Sequence, residues 1–106
     1  PIFIHVSVEV MPEFIGGTAA LMKYLSSNIK YPTISQETGS QGKVIVQFVV
    51  DKDGTISNPE VVRGVDPYLD KEAIRVISSM PKWTPGVQNG KKVRVKFTVP
   101  VSFRLQ

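Results

Sequence analysis

No cysteine occurs in these 106 residues, so disulfides, thiolate nucleophiles and cysteine-held metal sites are excluded. That absence does not choose between cytoplasm and periplasm. Histidine occurs once, at His5, which excludes a histidine-based triad and a multi-histidine metal site. In an alternating apolar segment its expected role is a surface or satisfied core imidazole. No run of about 18 apolar residues is present to span a membrane as a helix. No glycine loop of the Walker or dinucleotide type appears. Tryptophan also occurs once, and Trp83, flanked by Pro81 and Pro85, is expected to plug the end of a core rather than stack a base or sugar. The chain starts at Pro1 without a methionine, a charged leader or a cleavage pattern. It reads as a processed or excised piece, with any signal or anchor expected in the missing N-terminal part.

What is present bounds the fold. A chain of 106 residues with 42% hydrophobic content makes one domain, burying roughly 65% of the surface its unfolded form exposes. Residues 1–16 read as an extended lead-in and residues 17–106 as the core. Thirteen Lys and Arg against nine Asp and Glu give a net charge of +4. That moderate excess suits an anionic partner without identifying one.

The alternation of Ile2, Ile4, Val6, Val8 and Val10 predicts a strand or extended lead-in, broken at Pro12. Gly16, Gly17 and Thr18 can turn and cap a helix whose Leu21, Leu25 and Ile29 share a face, and which should stop near Tyr31 and Pro32. Residues 42–51 read as a central strand with Val44, Val46, Phe48 and Val50 on one face. Asp51, Lys52, Asp53 and Gly54 are turn chemistry, and residues 55–63 return as the second arm of a β-hairpin, with Pro59 favouring an edge. The same turn resembles a calcium loop only faintly, because its glycine is fourth rather than sixth and no bidentate Glu follows. Asp66 and Pro67 open a second helix, with Leu69, Ala73, Val76, Ile77 and Met80 as its apolar stripe. Asp66, Asp70 and Glu72 read as capping and dipole residues rather than paired acids, and no enzyme is expected.

The last strand has the most regular pattern. Val93, Val95, Phe97, Val99, Val101, Phe103 and Leu105 alternate with Arg94, Lys96, Thr98, Pro100, Ser102 and Arg104. One face is built for a core and the other for water. Fully extended it spans about 43 Å, against about 30 Å for the strand it pairs with, a surplus of about 13 Å. A right-handed crossover places it antiparallel beside the first arm of the hairpin, in the order 2-1-3. The expected fold is α+β, two helices on a three-stranded antiparallel sheet with a long C-terminal edge strand. Such an edge is either guarded by Lys, Arg and Pro with no partner, or accepts an extended peptide by strand addition. Its surplus length also allows strand exchange into a homodimer. A third reading, single-stranded nucleic acid on the sheet, rests on the basic cluster of Lys91, Lys92, Arg94 and Lys96. It is weakened because Phe97 and Phe103 alternate onto the opposite face from those charges, and no nucleic-acid partner is expected.

Tyr31-Pro32, Gly42 to Val50 followed by Asp53-Gly54, Leu69-Asp70-Lys71-Glu72-Ala73, Lys82-Trp83-Thr84-Pro85-Gly86 and the alternating last strand together resemble the TonB C-terminal domain family. The approach Pro12-Glu13-Phe14-Ile15-Gly16-Gly17 is similar to that of Bacteroidetes-type energy transducer members. The resemblance implies a periplasmic domain of a protein anchored in the inner membrane, with no cofactor. It implies binding to the TonB box of outer-membrane transporters as an added strand, and coupling to a proton-driven inner-membrane motor complex through the missing N-terminal region. Carried over by position, the docking edge is Val93, Arg94, Val95, Lys96, Phe97, Thr98, Val99, Pro100 and Val101. Pro100 removes one donor from that edge, which leaves the pairing register open. The same kind of domain also tails sensor and peptidase-type membrane proteins, which is the alternative the resemblance allows.

Overall fold

The computed structural model describes residues 2–4 and 8–106, so His5 and its expected role lie outside the described residues. In chain order the elements are β1 (Ile2–Ile4), α1 (Gly17–Asn28), α2 (Thr33–Thr38), β2 (Gly42–Val50), β3 (Ile56–Arg63), α3 (Pro67–Ser78), β4 (Gly86–Gln88) and β5 (Lys91–Phe103). The sheet runs β1-β5-β2-β3, with β4 pairing β5 off that path. The hairpin and last strand therefore take the order expected from the crossover rule, with β2 central.

The core follows from the alternation. Val44, Val46, Phe48 and Val50 of β2 and Val95, Val99, Val101 and Phe103 of β5 are buried, as are Leu21 and Leu25 of α1 and Leu69, Ala73, Val76 and Ile77 of α3. Trp83 closes one end, its ring 5.4 Å from Phe48 and 5.1 Å from Phe97, both in edge-on contact. The β2–β3 turn is fixed by Asp51 N–H to Thr55 O, Gly54 N–H to Asp51 O, and Thr55 N–H to Asp53 Oδ1. This last bond, from the Thr55 backbone, holds the Asp53 carboxyl below its usual range. In β3, Asn58 and Pro59 lie where the register slips between Gln47/Glu60 and Val49/Ser57. Pro59 is absorbed at an irregularity of the outer strand, where its missing donor costs least.

Asp66 caps α3, accepting from Leu69 N–H at 2.7 Å, and Pro67 occupies the first turn as expected. That bond, first among several donors to Asp66, keeps its carboxyl below the usual range. The start of α1 differs in detail. Gly16 takes the cap position at φ 92° with no side-chain cap, and the helix ends at Asn28, three residues short of Tyr31.

Three further features depart from the expected two helices on three strands. A third helix, α2, follows Pro32 and stops at Gly39 in a left-handed conformation, with Ser35 fully buried and donating to Asp66 Oδ2. Asn89 and Gly90, both at positive φ, turn the chain from β4 into β5. The sheet is mixed, because β1 runs parallel to β5. Of the expected strand over residues 2–10, residues 2–4 form β1, and Val10 makes an isolated antiparallel bridge to Val87.

Candidate docking edge and its supports

The register of β5 decides which backbone groups face outward. Gly42–Val50 pairs without a break with residues 95–103, and Pro100 lies opposite Ile45. A proline has no N–H, so this unbroken ladder requires Pro100 to sit in a non-hydrogen-bonded pair, its nitrogen turned away from β2. Alternation then assigns the rest. Val95, Phe97, Val99, Val101 and Phe103 aim their N–H and C=O at β2, and Arg94, Lys96, Thr98, Pro100 and Ser102 aim theirs outward.

The predicted site residues thus separate into two sets. Val95, Val99 and Val101 are buried, with side chains in the core and backbone committed to β2. Arg94, Lys96, Thr98 and Pro100 present their backbone to the outer edge, and Lys96, Thr98 and Pro100 are exposed. Val93 lies beyond the end of β2 and pairs with Gly86 of β4. Phe97 is half-buried, with its ring against Trp83 and Phe48.

The outer edge is not uniform. Ile2, Phe3 and Ile4 of β1 pair with Arg94, Val95 and Lys96. Among the described residues no strand lies on the outer side of positions 98–102, where the outward groups are those of Thr98, the Pro100 carbonyl and those of Ser102. Pro100 therefore interrupts the donor series of this edge midway. The length surplus of β5 is also accounted for, since Lys91, Lys92 and Val93 pair with β4. By the same alternation β4 occupies the side that β2 vacates, and the surplus is paired within the chain.

Helix α1 flanks the open stretch. Met22, Leu25, Ser26 and Ile29 border a shallow cleft whose other wall is Pro100, Val101 and Ser102. Met22 is 40% exposed there. Three bonds fix the helix in place: Tyr24 OH to Ser79 O at 2.8 Å, Arg75 Nη2 to Asn28 O at 2.8 Å, and Lys30 N–H to Glu72 Oε2 at 2.6 Å. Glu72 is buried and its other partner is the Arg75 guanidinium, at 2.7 Å to each carboxylate oxygen. Burial pushes its carboxyl up, but the Arg75 bonds and the Lys30 N–H together outweigh burial and hold it below the usual range.

A carboxyl depressed in the folded state stabilises the fold above its unfolded pKa of about 4.3, and that contribution is lost as pH falls through the lower folded value. Glu72→Gln is therefore expected to cost about 1 kcal/mol at pH 7, with the difference from wild type shrinking in the acid range below about pH 4. Urea unfolding at pH 7 and pH 3 checks this; an equal cost at both would contradict the charge-based account.

Basic side chains cluster at the β4–β5 end, where Lys52, Lys91 and Lys92 surround a pocket with Phe3, Gln88 and Val93. Arg94 is held by Asp51 at 2.9 Å, which removes it from that cluster. The aromatic rings of Phe97 and Phe103 pack on the helix side, Phe103 against Tyr31, so base stacking and basic charge do not share a face. Sequence reasoning had no sign of β1 on the edge. The β4–β5 hairpin did have one, because Asn-Gly between extended segments is a strong two-residue turn signal.

The structure defines a small α+β domain whose long last strand runs beside a helix. Residues 27–105 match the family described as Gram-negative bacterial TonB protein C-terminal, and the chain belongs to that family. Protein TonB of Haemophilus influenzae is 33% identical over 85 residues, covering 76% of this chain and 32% of that protein. Protein TonB of Helicobacter pylori is 26% identical over 83 residues, covering 77% of this chain and 28% of that protein. The chain thus spans about a third of the length of these curated relatives. The solution structure of Helicobacter pylori TonB-CTD (residues 194–285) superposes with a TM-score of 0.63 at 24% identity, covering 81% of this chain and 90% of that one. A longer form (residues 179–285) gives 0.55 at 23%, covering 81% and 79%. At these identities the likeness establishes the fold.

Proposed function

We propose that this domain docks the TonB box of outer-membrane transporters as an added strand along the outer edge of β5. It would act in the periplasm as the tail of an inner-membrane-anchored transducer, coupled through a preceding region to a proton-driven motor complex. The observation that carries the reading is the open stretch at 98–102, with outward backbone groups on Thr98 and Ser102 beside the apolar wall of α1. A strand added there gains backbone hydrogen bonds from β5 and apolar contact with Met22 and Ile29. It works as a docking module rather than a catalyst, and its nine sequence-derived positions reduce to the outward-facing members of that set. Self-association by strand exchange would first have to open the β4–β5 pairing.

Affinity for one box should be modest, in the micromolar range of about −8 kcal/mol, because a short strand is added and a flexible peptide is ordered. Fluorescence anisotropy with peptides from the N-termini of the source organism's outer-membrane transporters tests this. Saturable binding of at least one peptide is expected; no binding across the panel to the folded domain would overturn the reading. The lysine pocket adds a kinetic expectation. If Lys91 and Lys92 steer acidic residues near a box, Lys91→Glu with Lys92→Glu lowers the association rate several-fold and leaves the dissociation rate nearly unchanged. Stopped-flow at low and high salt checks it, and equal slowing of both rates would count against steering.

A further inference from the structure

We propose that β1 is a displaceable occupant of the docking edge, a built-in competitor that an incoming peptide must remove from Arg94, Val95 and Lys96. This rests on the proposed docking function and deepens it, by naming which part of the edge is blocked and by what.

Three observations carry the inference. First, β1 occupies the outer side of β5 in continuous register, Ile2 to Arg94, Phe3 to Val95 and Ile4 to Lys96. It covers the half of the edge that retains every outward donor, whereas the uncovered half contains Pro100. A peptide confined to the uncovered half meets one donor at Thr98, a gap at Pro100 and another at Ser102. A peptide needing a longer ladder must extend toward Lys96 and meets β1.

Second, β1 is weakly held. It is three residues long and, among the described residues, its only strand partner is β5, at one end of the sheet path. Ile2 is 40% and Ile4 59% exposed, and neither belongs to the core cluster. A short exposed segment of this kind opens at low free energy relative to the core strands.

Third, the fold does not need β1 to secure the chain beyond it. The next segment is fastened independently, by Val10 N–H to Val87 O at 3.0 Å and Val87 N–H to Val10 O at 2.9 Å. A second fastening joins Glu13 and Thr84 through bonds of 2.9 and 2.8 Å. Release of β1 leaves both bridges, and hence the Trp83 plug and the β4–β5 hairpin, in place.

The occupant also states the chemistry of its replacement. In a parallel ladder the outward groups of Arg94 and Lys96 bond to the residue lying between them, which is Phe3. Ile2 and Ile4 share a face with Arg94 and Lys96, and Phe3 turns to the Val95 side and the lysine pocket. The displacing ligand is an extended peptide with apolar residues at alternate positions, able to present one backbone N–H and C=O where Phe3 now stands.

Blocking by β1 lowers apparent affinity by the fraction of molecules with a free edge. Phe3→Pro removes the central β1 donor and leaves β5 unaltered. The probes are a synthetic peptide with the sequence of residues 1–8 and N-terminal peptides of the source organism's outer-membrane transporters. Against the Phe3→Pro domain both are expected to bind about tenfold tighter than against wild type, with shifts at the Arg94 and Lys96 amides. In wild type, saturation with a transporter peptide should move the Ile2, Phe3 and Ile4 amides to random-coil positions, a readout independent of the variant. Transporter peptides that bind both forms equally, with β1 amides unmoved, would overturn the inference and leave the docking reading standing. Failure of every transporter peptide against both forms would overturn the docking reading and the competition with it.

Discussion

Replacing Thr98 with proline is expected to weaken peptide binding at least tenfold while leaving the domain folded. Thr98 is exposed and opposite Gln47, in a pair whose backbone groups turn away from β2. Its N–H is the donor of the open edge that precedes the gap at Pro100. With both positions occupied by proline, residues 98–101 of the edge would offer no donor to an added strand, and each tenfold loss corresponds to about 1.4 kcal/mol. Thr98→Ala removes the side chain and keeps the donor, so it should bind within about twofold of wild type. The contrast between the two separates backbone docking from side-chain recognition. Equal loss in both would place the recognition in the threonine side chain, and retention in both would move the dock away from this edge. Proline at Val95 would not serve, because that N–H faces β2 and the side chain is fully buried.

The second large effect concerns the frame that delivers β5 to its place. Gly54 sits at φ 88° in the β2–β3 turn and accepts from Trp83 N–H at 2.8 Å. A Cβ at that position would lie 2.0 Å from the Trp83 carbonyl oxygen, backbone that cannot swing aside as a side-chain tip would. Gly54→Ala combines a left-handed conformation costing about 1–2 kcal/mol with overpacking of about 1–3 kcal/mol. A melting temperature lower by more than about 10 °C is expected. Gly39 supplies the control: it has φ 72° with nothing within 4 Å of its would-be Cβ, so Gly39→Ala should cost only about 1 kcal/mol. Calorimetry on the pair checks the claim, and similar melting temperatures for both would mean that the turn does not brace Trp83.

These two sites show how far the sequence could be read. The strands β2 and β5, the turn at Asp53 and Gly54 and the capped helix α3 were legible because each carries a strong local signal: period two over many residues, turn chemistry, or Asp followed by Pro. Helix α2 was not legible. Six residues make under two turns, too short for a periodic stripe, and the helix is tied into the fold by Ser35 bonded to Asp66 far along the chain. The orientation of the edge was half legible. Pro100 showed that a donor was missing, but only the pairing with Ile45 reveals that the gap faces outward. Strand β1 could be suspected from its alternation, yet nothing in Ile2, Phe3 and Ile4 specifies a parallel partner at Arg94–Lys96, because three residues carry no register information beyond which face is apolar.

The same distinction separates the family from the activity. Membership rests on a match over residues 27–105, whereas the proposed docking depends on which backbone groups remain available along one strand. Glu72, Arg75 and Tyr24 matter here through position alone, since they hold α1 along the cleft at Pro100 and Ser102.

The central claim, that an extended peptide joins the sheet along the outer edge of β5, is tested most directly by titrating isotope-labelled domain with a bound transporter peptide and mapping backbone amides by NMR. The largest shifts, and new protection from hydrogen exchange, are predicted at the outward amides of Thr98 and Ser102, with Met22 of α1 and Ile29 just past its end also perturbed. Amides of Val99 and Val101, already bonded to β2, should keep their protection. Saturable binding whose shifts fall instead on β3, on α3 or in the lysine pocket, with Thr98 and Ser102 unprotected, would contradict it.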